Sequence, residues 1–577
     1  MTVFSTRRAL PILAAAFLAL TVFPASAQFD AGMKVQEITR DFMKLFRPTL
    51  SGSYLAGQKA IADLRTDEAA RYFNDAAQAD WDNPVLVERA FVALAADGQI
   101  SKAANMARHM LELDSGNQLA ALVVATEALK ARRYGAVYGQ LETVPPESFS
   151  GLTAGILRAW ALVGEGKAGE AETLMKQIGG RGLEDFLVFH RALMAEAGGN
   201  TRLAVSLAQR AYDAEPAVAR MAEVYARMLA NSGDFDAAKD VLLAFEQLGR
   251  AHAVINIVRE AVDAGRKPGI FTTSVQVGAA EMFHGIGVAL SRDGSLDLAL
   301  LFMQLGVYLD PSSDVIALAL GQLLDGVSQF EAANAIYDAV PVKSPLKPIA
   351  VVRIAQNLDA LGDREEAIRR LTNIVAVDPD DLEAVSVLGD LLRYDEQYLE
   401  AAAAYSEAIR ISGGTTPSDW RFFYVRGIAY ERAKEWPKAE VDFQRALELN
   451  PDQPQVLNYL GYSWIDMDMH LDEALGMIEK AVEARPSDGY IIDSLGWAFY
   501  KLGRLEEAVA TLERAVMLLP SDPEINDHLG DAYWKVGRRL EARFQWNIAK
   551  SVDAIGNVTE RVLPKLEDGL TPENETE

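Results

Sequence analysis

The side chains able to do chemistry in this chain are carboxylates, histidines and aromatics, and their spacing decides what they could do. The histidines (His109, His190, His252, His284, His470, His528) are scattered, and none lies three or four residues from another, as a helical metal pair would. There is no HExxH, no GxSxG and no phosphate loop ending in lysine. Cysteine is absent, which removes disulfides, thiolate metal sites and cysteine nucleophiles together. Asp466, Asp468 and Asp472 gather around His470. A calcium loop needs more oxygen ligands about a turn glycine, so a solvated turn is the reading. Asp378-Pro379-Asp380-Asp381 likewise reads as a turn followed by a helix N-cap. No catalytic, cofactor or metal site is expected, and the chain is expected not to be an enzyme.

What does recur is a mixture of amides, carboxylates and flat rings. Asn458, Asp493 and Asp527 follow one another at steps of about 34 residues, and so do Tyr462, Trp497 and Asp531. An amide or carboxylate can bond a peptide backbone, while Tyr and Trp offer flat apolar area. The competing reading is that the rings only pack neighbouring units together.

The elements that must position these residues are legible in the same stretch. Leu460-Gly461-Tyr462, Leu495-Gly496-Trp497 and Leu529-Gly530-Asp531 are followed in turn by Trp464, Phe499 and Tyr533. Alanines come next at Ala474, Ala508 and Ala542, then at Ala481, Ala515 and Ala549, and Pro486 and Pro520 close two of the units. This pattern resembles the tetratricopeptide repeat. The resemblance implies an all-α fold, a right-handed superhelical solenoid of antiparallel helix pairs with a concave inner wall. Walked backwards, the small residue of each unit recurs at Gly427, Gly389, Ala355, Gly321 and Gly287, and beyond a break at Ala226, Ala192, Ala159, Ala125 and Gly57. Phe91 fits poorly, and its neighbour Ala90 fits better. Glycines such as Gly98, Gly233, Gly362 and Gly503 stand where one helix turns into the next.

In that family the first helix of each pair faces inward. The resemblance therefore places Arg421, Tyr424, Glu431 and Arg432 on the concave wall, followed by Gln455, Asn458, Tyr462 and Asp466. Tyr490, Asp493, Trp497, Tyr500 and Lys501 come next, then Asp527, Asp531, Trp534 and Lys535. Trp464, Phe499, Tyr533 and Trp546 fall at seams and are expected in the core.

Length and charge set the frame. At 577 residues one compact core is too little, and a net charge of −26 argues against binding nucleic-acid backbones. Arg7 and Arg8, the apolar run Ala9 to Phe23 and Ala25-Ser26-Ala27 read as a signal peptide cleaved after Ala27, so the mature chain is expected in a Gram-negative periplasm. Neither a lipid anchor nor a transmembrane segment is expected in it.

The expected organisation is a signal peptide over 1–27, an N-terminal capping helix over 28–50 and degenerate repeats over 51–244. An extra helix and joint follow over 245–272, the loop Gly265 to Gly269 allowing two halves to adjust. Middle repeats span 273–411, an insertion loop 412–419 and well-matched repeats 420–550. A capping helix, limited by Pro564, and an acidic disordered tail complete 551–577.

Leu457-Asn458-Tyr459-Leu460-Gly461-Tyr462-Ser463-Trp464, Asp493-Ser494-Leu495-Gly496-Trp497 and Ile525-Asn526-Asp527-His528-Leu529-Gly530-Asp531 also resemble a group of exported proteobacterial tetratricopeptide proteins. One member is a lipoprotein adaptor of a periplasmic carboxyl-terminal processing protease. The resemblance implies a non-catalytic scaffold that binds proteins or peptides, among them such a protease and its substrates. The adaptor's lipid needs a cysteine, which this chain lacks. The alternative is a scaffold for exopolysaccharide synthesis or secretion, the aromatic wall stacking on sugar rings.

Overall fold

The computed structural model describes residues 49–146, 148–179, 183–248 and 253–571. The signal peptide, most of the N-terminal capping segment and the acidic tail from 572 lie outside the described residues. Every regular element among the described residues is helical. The chain divides into two compact units, Met1–Ile336 and Tyr337–Glu577.

The first unit holds α1 (Leu50–Ala62), α2 (Thr66–Ala79), α3 (Pro84–Ala96), α4 (Ile100–Leu113), α5 (Gln118–Lys130), α6 (Tyr134–Leu141), α7 (Phe149–Gly164) and α8 (Ala168–Gln177). It continues with α9 (Glu184–Ala197), α10 (Thr201–Ala214), α11 (Ala219–Ser232), α12 (Phe235–Gln247), α13 (Ala253–Asp263), α14 (Val275–Arg292), α15 (Leu296–Leu309) and α16 (Asp314–Gly326). Helix α17 (Phe330–Ala339) runs across the division. Consecutive helices pack on one another from α1 to α13 and from α14 to α16, but α14 and α15 do more. Helix α15 returns to pack on α3, α4 and α5, and α14 packs on α7 and α9. The chain's own helices thus cover the faces that the repeat pattern turns inward. Gly278 on α14 makes this approach possible, because a Cβ there would lie 2.0 Å from Trp160.

The loop expected as a joint is strapped down inside this unit. Arg227 donates to the Pro268 carbonyl (3.0 Å), and Asn231 exchanges hydrogen bonds with Gly269 (2.8 and 3.2 Å). The Glu196 carboxylate accepts from the backbone N–H of Phe271 and Thr272. The expected extra helix is present as α13, and the division between units falls at Ile336 instead.

The second unit holds α18 (Lys347–Ala360), α19 (Arg364–Val377), α20 (Leu382–Tyr394), α21 (Tyr398–Ser412), α22 (Trp420–Arg432), α23 (Trp436–Leu449), α24 (Pro454–Asp466) and α25 (Leu471–Ala484). Helices α26 (Gly489–Lys501), α27 (Leu505–Leu518), α28 (Pro523–Lys535), α29 (Arg539–Val552) and α30 (Asn557–Asp568) complete it. Each even-numbered helix up to α28 pairs with the next, and α24, α26, α28 and α30 also touch in succession. Close approach within a pair needs glycine at the seam. A Cβ on Gly530 would meet the Trp546 indole at 2.4 Å. The expected seam rings Trp464, Phe499, Tyr533 and Trp546 are all buried. The insertion after α21 is ordered around Asp419, whose carboxylate accepts from the N–H of Thr415 and Thr416 and from the Thr416 hydroxyl.

Pro564 does not end the last helix, which continues to Asp568. Proline removes one N–H and would leave the Glu560 carbonyl unpaired. Glu560 is exposed, so water can satisfy that carbonyl, while buried Val558, Val562 and Lys565 hold the helix on both sides of the proline.

Candidate inner-wall site

The wall residues belong to the first helices α22, α24, α26 and α28, and burial divides them into an open part and a closed part. On α22, Arg421 is exposed and Tyr424 half-buried, with its ring edge-on to Tyr459 at 6.0 Å. The Tyr459 hydroxyl donates to Glu431 at 2.9 Å, and Glu431 stands 3.6 Å from Arg432. Burial raises the pKa of Tyr424 and of Tyr459, so both hydroxyls stay protonated.

Helix α24 places Asn458, Tyr462 and Asp466 one turn apart on one face. Asn458 Oδ1 and Asp466 Oδ1 are buried and have no hydrogen-bond partner. Between them Tyr462 is half-buried, its hydroxyl pKa raised by burial and then by Asp466, Asp493 and Glu524. An unsatisfied buried acceptor costs about 1–3 kcal/mol, so each of these two acceptors would gain from a donor. Gln455, earlier on the helix, is committed to Arg485 and Gln453 once its amide is oriented to satisfy both. Tyr490, at the start of α26, is 60% exposed.

The rest of the expected wall is closed. Asp493 is buried against His528, whose Nδ1 lies 3.0 and 3.1 Å from the two carboxylate oxygens. Burial pulls the His528 pKa down, but Asp493, then Asp527 and Glu524, outweigh it and hold the value near 9. Trp497 is fully buried and stacks on His528 at 4.2 Å and on Tyr500 at 4.7 Å. The Lys535 ammonium sits 5.9 Å from the Tyr500 ring, which is itself buried.

Asp527 and Asp531 are wholly buried. Lys565 of α30 reaches both, at 2.7 Å to Asp527 and 2.9 Å to Asp531. Arg561 adds 3.0 Å to Asp527 and also pairs with Glu524, and the Trp546 indole N–H donates to Asp531 at 2.9 Å. Trp534 is half-buried between Trp546 and Gly569.

The expectation that Asp493, Trp497, Tyr500, Asp527 and Asp531 line an open groove is therefore corrected. Each serves the joint between successive first helices, because a buried carboxylate must find a cation and the next helix supplies it. Sequence reasoning missed Arg561 and Lys565, yet a signal existed. They stand one period of about 34 residues after Asp527 and Asp531, with opposite charge. Among the described residues no cluster of three or more His, Asp or Glu could hold a metal, and no helix is long and apolar enough to cross a membrane.

The family models agree with this architecture over the residues they match. A TPR repeat model matches residues 496–537, and a tetratricopeptide repeat model matches 352–414 and 387–454. The chain is 29% identical over 145 residues to a TPR repeat-containing protein of Pseudomonas aeruginosa, a match covering 25% of this chain and 24% of that one. It is 24% identical over 192 residues to a human protein O-mannosyl-transferase, covering 32% and 20%. The chain thus spans only 24% and 20% of the length of these relatives. The crystal structure of the APC/C hetero-tetramer Cut9–Hcn1 aligns over 92% of this chain and 98% of that one, at 14% identity and a TM-score of 0.37. Over residues 352–454 and 496–537, within its second unit, this chain matches tetratricopeptide repeat models.

Proposed function

We propose that the second unit is a non-catalytic scaffold that takes an extended peptide segment along α22 and α24. One observation carries the reading: Asn458 Oδ1 and Asp466 Oδ1 are buried acceptors without donors, set on either side of Tyr462. They lie two helical turns apart, about 12 Å, a span that several N–H groups of an extended peptide cover. Tyr424, Tyr459 and Tyr462 supply the apolar floor, and Arg421 and Arg432 the polar rim.

The signal-like N-terminus and the motif resemblance support a reading of this scaffold as a periplasmic adaptor that brings substrates to a carboxyl-terminal processing protease. The exopolysaccharide reading ranks second, because Trp497 and Tyr500 are stacked and buried instead of offering free faces to a sugar.

The test uses the purified mature chain, a carboxyl-terminal processing protease from the same envelope and its client. Saturable binding weakened at least tenfold by Asn458→Ala with Asp466→Ala is expected, with the helical circular dichroism unchanged. Equal binding by the double variant would remove this wall as the contact. Binding to glycan oligomers in place of either protein would favour the second reading.

A further inference from the structure

The outer face of α29 carries two large apolar side chains one turn apart, which the same register of α27 and α25 does not. Leu540 and Phe544, one turn apart, are 81% and 65% exposed. Asn547 and Ser551 continue the same face and are exposed too. One period earlier, α27 places Glu506, Ala510, Glu513 and Met517 there, and α25 places Asp472, Gly476, Glu479 and Glu483. A terminal repeat needs a polar outer face for solubility, so two large apolar side chains there run against the requirement of the fold.

Charge changes in the same place. Helix α29 carries Arg539, Arg543 and Lys550 against one carboxylate, Glu541, in a chain of net charge −26. By helical spacing the three cations fall along one flank of the Leu540–Phe544 face, and all are exposed. Arg539 lies 5.0 Å over the half-buried Trp534 ring, and Arg543 donates to the Leu566 carbonyl at 2.7 Å. These contacts orient the two guanidinium groups without neutralising them.

We propose that this face of α29 docks on an anionic lipid surface. Exposed apolar side chains flanked by cations can enter the headgroup boundary while the cations meet lipid phosphates. The face runs about 16 Å from Leu540 to Ser551. It is separate from the inner wall, and the inference stands without the peptide reading.

The experiment is flotation of the full chain with vesicles of phosphatidylglycerol and phosphatidylcholine, against phosphatidylcholine alone, at low and physiological salt. Binding to the anionic vesicles alone is expected, weakening as salt rises. Leu540→Ser with Phe544→Ser should reduce it at least tenfold. Arg539→Gln or Lys550→Gln should each reduce it roughly fivefold. These surface changes should leave thermal unfolding unmoved. Failure to float, equal binding to neutral vesicles, or preference for an acidic polypeptide would overturn the proposal. So would sedimentation showing that the double serine variant abolishes self-association of the chain.

Discussion

At the scale of single residues, two buried histidines respond to pH in opposite directions. His528 is held protonated by Asp493, with a pKa near 9 against an ordinary value of 6.5. Its contribution is fully present below pH 6.5 and is lost as pH rises through 9, about 3 kcal/mol in all. His190 is completely buried among Trp160, Phe186 and Phe189, and neither ring nitrogen has a partner. Burial lowers its pKa to about 4, opposed by the distant pull of Glu281. The folded protein then holds fewer protons than the unfolded chain between pH 6.5 and 4, and stability falls as pH falls through that range. Stability curves of His528→Leu and His190→Leu should each lose one of these slopes. An unchanged alkaline slope in His528→Leu would refute the first assignment. The Lys565 knot gives a larger effect. Lys565→Met leaves two wholly buried carboxylates short of a cation and should cost about 3–5 kcal/mol, measured by denaturant unfolding.

At the scale of elements, the tight turns between paired helices demand a left-handed residue. Gly98, Gly166, Gly199, Gly362, Gly503 and Gly537 meet the demand with positive φ. Leu64, Arg132, Ser328, Glu396 and Lys434 adopt the same conformation with a Cβ, at φ between 54° and 61°. That strain costs about 1–2 kcal/mol per residue, partly offset because glycine loses more entropy on folding. Glu396→Gly or Lys434→Gly should therefore stabilise the second unit by about 0.5–1 kcal/mol, seen as a higher denaturation midpoint at unchanged m-value. A fall in midpoint would show that these side chains make contacts worth more than the strain. The helix pairs themselves were legible because a seam glycine and the large apolar side chain that fills it recur at a fixed period, as Gly427 with Phe443, Gly496 with Leu512 and Gly530 with Trp546 do. The course of α30 past Pro564 was not legible, since local propensity argues for a stop and only the anchors at Val562 and Lys565 override it.

At the scale of the molecule, the apolar cores divide between the units. One core spans Ala60 to Ile316 in the first, and the second holds two, over Val352 to Ala429 and Phe423 to Val562. The two histidines divide in the same way, His190 in the first unit and His528 in the second. Calorimetry should therefore resolve two transitions, the first-unit one weakened by acid and the second-unit one by alkali. A single transition with one pH trend would contradict that division. The first unit also shows how a repeat array can use up its own inner wall. Helices α14 and α15 cover it, through Gly278 on Trp160 and Phe302 on Phe149.

Period, seam glycines and turn residues act between neighbours in the chain, so the sequence by itself determined the helix pairs, their order and the burial of the seam rings Trp464, Phe499, Tyr533 and Trp546. Which polar wall residues stay open depends on contacts between residues far apart in the chain or a whole period away. Tertiary structure alone decided that Asp493 answers His528, that Asp527 and Asp531 bury Lys565, and that α14 returns to α7. A carboxylate reads the same in sequence whether solvent or a cation meets it. Burial forces the pairing, and burial exists only once the repeats have stacked.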